Sequence, residues 1–290
     1  MKIALPLAMT AIALVAAGCG GGADEAAADG KVTVVASTNV WGSVVAAVGG
    51  SSVSVRSLID DPSADPHSYE DKPEDATLLA DAKLVVYNGG GYDDFFTKLA
   101  EASGSSAKQI DAFAVSGYAD GENEHVWYDF ATVKKVAGKV ADELGAIDPG
   151  NKDTYEANAK AFDGRIDELA TKAEAIPDGK VVATEPVAHY LLDTAGLTDV
   201  TPPAFSEAIE EETDPPVAAL ADTSDLIMNK QVVALVNNDQ TETSVTKQLT
   251  DAAGKADVPV VNVSETLPQG VTDYVEWMTD EIDGLAGAVS

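Results

Sequence analysis

The feature that most constrains the fold is a run of helical periodicity in the middle of the chain. Apolar residues recur at alternating spacings of four and three between Asn151 and Ile176, and no proline interrupts the run. At about 1.5 Å per residue, such a helix is roughly 40 Å long. Asp148 and Pro149 supply a start signal and Pro177 a stop signal. This pattern alone fits an ordinary surface helix, so the flanking segments decide its role.

The two flanks of this helix contain the same order of segments. Each begins with a strand pattern and a helical pattern, which are KVTVVAST and VWGSVVAAV before the helix and KVVATEP and VAHYLLDTA after it. Two further strands follow in each flank, KLVVYN and AKQIDAF in the first and QVVALVNN and VPVVNVS in the second. Alternating strands and helices predict an α/β fold with mostly parallel sheets. We therefore predict two similar lobes, each a sheet flanked by helices, joined by one long rigid helix. A single continuous doubly wound sheet is the alternative, which the uninterrupted helix disfavours.

The N-terminal segment predicts export and a lipid anchor. Lys2 precedes an uncharged apolar run from Ile3 to Gly18, which is too short to span a bilayer and has the length of a signal-peptide core. Cys19 follows at once and is the only cysteine of the chain. The segment resembles a bacterial lipoprotein cleavage site, although Ala16 stands where leucine is favoured. An ordinary secretory signal and a buried free thiol are the alternatives.

These patterns divide the chain into five predicted segments. They are a lipoprotein signal peptide with its lipidation site (1–19), a flexible tether (20–30), an N-terminal α/β lobe (31–148), the linking helix (149–177) and a C-terminal α/β lobe (178–290). The formal net charge of −31 argues strongly against nucleic-acid binding. The acidic run 210–212 is interpreted as a solvated face.

Four residues lie where the ends of parallel strands are expected. His67 follows the strand pattern VSVRSLI, and His125 lies on the loop after AKQIDAF. In the second half, Glu185 follows KVVAT and Glu265 follows VPVVNV. Ligands of open α/β sheets bind outside the carboxyl ends of the strands. Two imidazoles from one lobe and two carboxylates from the other could therefore hold one divalent cation. For each residue alone, a solvated loop or helix-end side chain is the simpler explanation. His189, one helical turn after Glu185, is an alternative ligand.

Several motifs together resemble one known family. They are DPHSYE, the HVW of ENEHVW, the long helix, TEP before a helix ending in AGL, and QVVALVNN followed by QTETSVTKQL. All are similar to the TroA-like solute-binding lipoproteins of bacterial ABC importers for manganese and zinc. The resemblance covers the chain from Lys31 onward, and DPHSYE is its most specific motif.

The resemblance implies a fold and a set of ligands. Two α/β lobes bridged by a rigid helix would hold the metal between them, with His67 and His125 as the first two ligands. Glu185 falls on the third position, which is histidine in many zinc binders and glutamate in many manganese binders. Glu265 falls where the family usually has aspartate, so the site would have to accommodate one more methylene. Glu124 stands where proline commonly precedes the second histidine.

The function implied is that of a receptor on the extracytoplasmic face of the cell membrane, anchored through Cys19. It would capture manganese, or else zinc or ferrous iron, and deliver the ion to an ABC permease and its ATPase, and a monomer is expected. No enzyme activity is expected, because four protein ligands leave no open metal position for an activated water. Two alternatives remain, a secreted metallohydrolase that uses the same histidines and a binding protein for an organic ligand or metal chelate.

Overall fold

A computed structural model describes residues 30–62, 64, 66, 68–211 and 213–289, so that the predicted signal peptide, Cys19 and His67 lie outside the described residues. The first lobe contains, in chain order, β1 (Val32–Thr38), α1 (Asn39–Gly49), β2 (Val53–Ile59), α2 (Pro73–Asp81), β3 (Leu84–Tyr87), α3 (Asp94–Ala102), β4 (Lys108–Asp111), α4 (Ala112–Ser116) and α5 (Phe130–Ile147). The long helix α6 spans Lys152–Glu174. The second lobe contains β5 (Gly179–Ala183), α7 (His189–Thr194), β6 (Leu197–Asp199), α8 (Pro203–Glu210), α9 (Val217–Met228), β7 (Ala234–Asn238), α10 (Ser244–Ala256), β8 (Val260–Val263) and α11 (Tyr274–Val289).

Each lobe is built on its own four-stranded parallel sheet. The strand orders are β2-β1-β3-β4 and β6-β5-β7-β8, and every strand pairing is parallel. Two sheets of the same topology confirm the two-lobe prediction and exclude one continuous sheet. Because all strands of a sheet run in the same direction, their carboxyl ends meet at one edge.

The helix α6 joins the cores of the two lobes. Its buried stripe consists of Tyr155, Ala159, Phe162, Ile166, Leu169 and Ala173. These side chains belong to one apolar cluster that also contains Val34 and Trp41 of the first lobe and Val181 and Trp277 of the second. Burying a large apolar side chain stabilises the fold by about 1.5–3 kcal/mol. The shared cluster therefore holds both lobes against the helix.

The opposite face of each sheet is covered by helices of the same lobe. In the first lobe, Val35 and Val85 pack with Phe96 of α3 in a separate cluster. In the second lobe, Val182 and Leu235 pack with Leu249 of α10. Successive strand residues point to opposite faces of a sheet. The uninterrupted apolar strand sequences are thus explained by burial on both faces.

The start of α6 differs in detail from the predicted helix start. The segment Pro149–Asn151 forms a single 3₁₀ turn before α6. The Asp148 carboxylate accepts hydrogen bonds from Asn151 Nδ2 at 2.7 Å and from the Tyr155 hydroxyl at 2.9 Å. Asp148 therefore stabilises the turn through side chains.

Among the described helices, none is both long and apolar enough to cross a membrane.

Candidate metal site

The carboxyl edges of the two sheets face each other across one cleft. Tyr92, on the loop after β3, donates from its hydroxyl to Glu265 Oε2 of the second lobe at 2.9 Å. Tyr128 of the first lobe donates to the carbonyl of Ser264 at 2.8 Å. Loops at the carboxyl ends of the strands in the two lobes are thus joined by hydrogen bonds.

One asparagine holds both predicted carboxylates of the second lobe. Asn238 is the last residue of β7, which lies between β5 and β8 in the sheet. Its side-chain amide Nδ2 donates to Glu185 Oε2 at 2.7 Å and to Glu265 Oε1 at 2.8 Å. The Thr241 hydroxyl also donates to Glu185 Oε1. Glu185 is 9% exposed and Glu265 is 1% exposed, so both charged groups lie below the surface. The structure therefore brings these two predicted ligands together.

His125 is buried and its ring orientation is set by Asn123. The Asn123 Oδ1 atom lies 2.9 Å from His125 Nδ1 and accepts the His125 backbone N–H at 2.8 Å. Because an amide oxygen only accepts, Nδ1 is assigned a proton, and in the neutral form of this imidazole Nε2 therefore presents the lone pair. The ring also makes edge contacts with Tyr92 and Trp127, with centroids 5.9 and 5.0 Å away. A fixed tautomer and a fixed ring are typical of a metal-binding histidine.

Asn123 also connects the His125 loop to the second lobe. Its Nδ2 donates to the carbonyl of Pro186, the residue after Glu185, at 2.8 Å. The Tyr190 hydroxyl donates to the Asn123 carbonyl at 2.6 Å. The position of His125 therefore depends on contacts with both lobes.

Gln240 performs a similar role for the segment that contains Pro62 and Ala64. Its Nε2 donates to the carbonyls of Pro62 and Ala64 at 3.1 and 3.2 Å. Its Oε1 accepts the backbone N–H groups of Glu265 and Thr266. The backbone on the N-terminal side of His67 is thus tied to the Glu265 loop.

Glu210 lies at the site, contrary to the prediction of a solvated face. Its Oε1 is 4.0 Å from His125 Nε2, and its side chain is 25% exposed. Among the described residues, Glu124, His125 and Glu210 form the group whose potential ligand atoms all lie within 4.8 Å of one another. A cavity of about 480 Å³ is lined by Glu185, Glu210 and Ser68.

His189 occupies the protein surface. Its side chain is 44% exposed, and its Nε2 lies 3.6 Å from Asp193 Oδ2 one turn further along α7. The helix α7 begins at His189 itself, after a 3₁₀ turn at Pro186–Ala188. Glu185 and His189 therefore do not lie on one face of a single α-helix, which was the basis of the alternative ligand.

A buried acid lies behind the site in each lobe. Burial raises the pKa of Asp93 to about 6, although hydrogen bonds from Ser37 and the backbone of Asn88 and Gly89 lower it. Burial raises the pKa of Glu281 to about 8, and the hydrogen bond from Trp277 opposes the shift. Trp277 Nε1 donates to Glu281 Oε1 at 2.8 Å and to Ser264 Oγ at 3.2 Å. Glu281 thus supports the loop that contains Glu265.

Sequence reasoning missed the asparagines and glutamine that orient the predicted ligands. Asn238 could have been found, since it is a polar residue at the end of an apolar strand between two strands that precede acids. Asn123 and Gln240 lie on loops, and their partners are distant in the sequence.

The chain belongs to the family described as "Zinc-uptake complex component A periplasmic" (ZnuA), whose model matches residues 34–288. The manganese ABC transporter substrate-binding lipoprotein PsaA of Streptococcus pneumoniae is 32% identical over 214 residues, covering 67% of this chain and 68% of PsaA. The manganese-binding lipoprotein MntA of Halalkalibacterium halodurans is 26% identical over an alignment of 314 residues, covering 100% of this chain and 99% of MntA. An iron ABC transporter substrate-binding lipoprotein, MtsA of Streptococcus pyogenes serotype M1, is 29% identical over 218 residues, covering 68% and 69%.

Solved structures share the fold. The periplasmic zinc binding protein TroA from Treponema pallidum superposes with a TM-score of 0.75 at 19% identity, covering 90% of this chain and 100% of TroA. A crystal structure of ZnuA superposes with a TM-score of 0.74 at 22% identity, with coverage of 90% and 100%. The family resemblance and the fold class predicted from the motifs are both confirmed.

Proposed function

We propose that this protein is the extracytoplasmic receptor of an ABC importer, which captures one divalent transition-metal ion between its lobes and delivers it to the permease and ATPase. The main observations behind the proposal are the pair of buried carboxylates held by Asn238 in the second lobe and the imidazole oriented by Asn123 in the first. The printed names of PsaA and MtsA, both ABC transporter substrate-binding lipoproteins, support the transport role. No catalytic role is proposed.

The proposed ligands are His67, His125, Glu185 and Glu265. Two neutral imidazoles and two carboxylates would balance the charge of a divalent cation. On binding, the ion would replace Asn238 as the partner of at least one carboxylate oxygen, so the bonds from Asn238 support a site preorganised for positive charge.

Manganese is the proposed physiological ion. Two nitrogens and two carboxylates make a harder site than three histidines, and hard oxygen ligands suit manganese and ferrous iron. The loop AVSGYADGENE, where many zinc-binding members have a histidine-rich insertion, contains no histidine. Relatives named for manganese support the same choice. Zinc nevertheless binds more tightly than manganese to most ligand sets of this kind, so affinity alone is a poor guide.

Metal titration of the mature, metal-free protein tests the receptor role. We expect one Mn²⁺ per chain and a loss of affinity of about a hundredfold or more for His67→Ala, His125→Ala or Glu265→Ala. His189→Ala is the matched control for loss of an imidazole and should leave affinity unchanged. Binding should weaken below about pH 6.5, because the ligand is neutral imidazole. A protein that binds no ion after careful repletion would contradict the proposal.

Cellular uptake tests the choice of metal. Cells that lack this protein should accumulate less manganese and grow poorly when manganese is scarce. If the deletion strain instead loses zinc accumulation and is rescued by zinc alone, the manganese assignment is wrong and the receptor role stands.

We further propose that Cys19 is lipidated and anchors the receptor to the membrane, as the lipoprotein names of the relatives suggest. A diacyl anchor is held by about 0.8 kcal/mol per buried methylene. Cys19→Ala should therefore move the protein from the membrane fraction to the soluble fraction. Continued membrane association of that variant would contradict the anchor.

A further inference from the structure

Three side chains from both lobes form a cluster of potential metal ligands. Glu124 and His125 are consecutive residues of the first lobe, and Glu210 is the last residue of α8 in the second lobe. Each of the three offers one potential ligand atom, and these atoms all lie within 4.8 Å of one another. The cluster unites an imidazole with two carboxylates, which is a ligand set for divalent first-row metal ions.

The spacing within the cluster fits a single ion. Ligand atoms that each lie about 2.0–2.2 Å from one metal ion are separated from each other by about 3–4 Å. His125 Nε2 and Glu210 Oε1 are 4.0 Å apart. An ion could therefore contact both atoms with little movement of either side chain. The ligand atom of Glu124, the third member, lies within 4.8 Å of both.

The two glutamates of the cluster are more exposed than the pair of carboxylates held by Asn238, whereas His125 is buried. The Glu210 side chain is 25% exposed, whereas Glu185 and Glu265 are 9% and 1% exposed. Glu210 and Glu185 both line the cavity of about 480 Å³ that opens to solvent. Of these two acids, Glu210 is the more exposed. His125 belongs to the cluster and is also a proposed ligand of the inner site.

We propose that Glu124, His125 and Glu210 form an outer metal-binding position, from which a divalent ion moves to the inner site while it stays bound to His125. This inference rests on the proposed function, since it describes how the same site is filled. The transfer is a ligand exchange: carboxylate oxygens of Glu185 and Glu265 replace those of Glu124 and Glu210 and the remaining waters. A stepwise exchange avoids removing the whole hydration shell of the ion at once.

Rapid-mixing measurements with Mn²⁺ and with Zn²⁺ test the outer position. Trp127, whose ring centroid lies 5.0 Å from that of His125, provides a fluorescence signal. Glu210→Gln should lower the association and dissociation rate constants together, by about tenfold each if a charged ligand is lost, with an affinity nearly unchanged. The control is Glu211→Gln. Glu211 is an exposed neighbour of Glu210, and this substitution removes the same charge, so it lowers the long-range attraction for cations to the same degree.

A second measurement tests the position directly at equilibrium. In Glu185→Gln/Glu265→Gln protein, the inner site lacks both carboxylates, and weak binding of one Mn²⁺ should remain detectable by electron paramagnetic resonance. Adding Glu210→Gln should abolish this remaining binding, whereas adding Glu211→Gln should not. Circular dichroism confirms that each variant is folded.

The outcomes separate the outer position from the receptor role. Equal rate constants for Glu210→Gln and Glu211→Gln, or residual binding that survives Glu210→Gln, would overturn the outer position. A loss of equilibrium affinity of about a hundredfold in Glu210→Gln at an unchanged association rate would also overturn it, since Glu210 would then be an inner ligand. A wild-type protein that binds no ion would instead overturn the proposed function.

Discussion

Asn88 and Asn238 occupy corresponding positions in the two lobes but have different partners. In each sheet the third strand pairs with the first, with Val86 opposite Ala36 in the first lobe and Val236 opposite Ala183 in the second. Asn88 and Asn238 each lie two residues beyond these valines, and both are buried. Asn88 Oδ1 accepts from Trp41 Nε1 at 3.2 Å, and its Nδ2 donates to the carbonyl of Glu124 at 2.8 Å. Asn238 instead donates to two carboxylates.

This difference shows how a repeated architecture produces an asymmetric site. In the first lobe, the asparagine supports the backbone immediately before His125, which is proposed as a neutral ligand. In the second lobe, the asparagine contacts the charged side chains themselves. The repeated topology supplies two equivalent edges, and the carboxylates that Asn238 holds lie on only one of them.

The largest expected effect comes from removing each asparagine in turn. Asn238→Ala should lower the free energy of unfolding of the metal-free protein by about 3 kcal/mol, because hydrogen bonds to two buried carboxylates are lost. Asn88→Ala should be destabilising to a similar degree, because Trp41 Nε1 and the Glu124 carbonyl lose their partner. Denaturant unfolding with and without Mn²⁺ distinguishes them: the ion should restore much of the stability of Asn238→Ala and less of that of Asn88→Ala. Equal restoration in both variants would contradict the difference between the lobes.

The buried acids predict a pH dependence that differs between the lobes. A carboxyl group with a raised pKa in the folded state makes the protein less stable as pH rises from the unfolded pKa to the folded pKa. For Asp93 this interval runs from 3.8 to about 6, and for Glu281 from 4.5 to about 8. Between pH 6 and 8, wild-type stability should therefore fall by about 2 kcal/mol more than that of Glu281→Gln, at about 1.4 kcal/mol per unit.

Asp93→Asn is the matched control in the other lobe. It removes a buried acid that already titrates by about pH 6, so its stability curve between pH 6 and 8 should run parallel to the wild-type curve. Urea denaturation of the metal-free proteins at several pH values measures the slopes. A parallel curve for Glu281→Gln as well would show that Glu281 is ionised in the folded protein at neutral pH.

Asn123→Ala tests how strongly metal binding by His125, a proposed ligand, depends on its hydrogen bonds to Asn123. His125 Nδ1 would lose its acceptor and the ring its fixed tautomer, so Mn²⁺ affinity should fall by about tenfold. Competition with a fluorescent chelator at pH 7 measures the change. Asn158→Ala is the control, since Asn158 donates to the Val48 carbonyl from α6. If both variants bind Mn²⁺ equally well, Asn123 does not orient the ligand.

The smallest effect is expected from the ion pairs that connect α6 to each lobe. Arg165 donates two hydrogen bonds to Asp273 before α11, at 2.9 and 3.0 Å, and Lys134 of α5 pairs with Asp167. Because these side chains are partly exposed to solvent, Arg165→Ala should cost only about 0.5 kcal/mol of unfolding free energy. Lys134→Ala should cost no more, and neither should change metal affinity. A loss above about 1 kcal/mol would mean that the helix is held by its charges as well as its apolar stripe.

The sequence by itself determined the architecture and the positions of the second-lobe carboxylates. The periodicity of residues 151–176 predicted the linking helix, and α6 spans Lys152–Glu174. Glu185 and Glu265 were predicted directly after strands, and each lies two residues after the end of one. Such features depend on neighbours within a few residues, so local patterns are sufficient to identify them.

Only the tertiary structure decided which side chains surround those carboxylates. The bond between Tyr92 and Glu265 joins residues 173 positions apart, and that between Gln240 and Pro62 joins residues 178 apart. Glu210 belongs to an acidic run typical of a solvated face, yet the packing of the lobes brings it to His125. Such contacts depend on how both lobes pack around α6 through their shared core, and no local stretch of sequence contains that information.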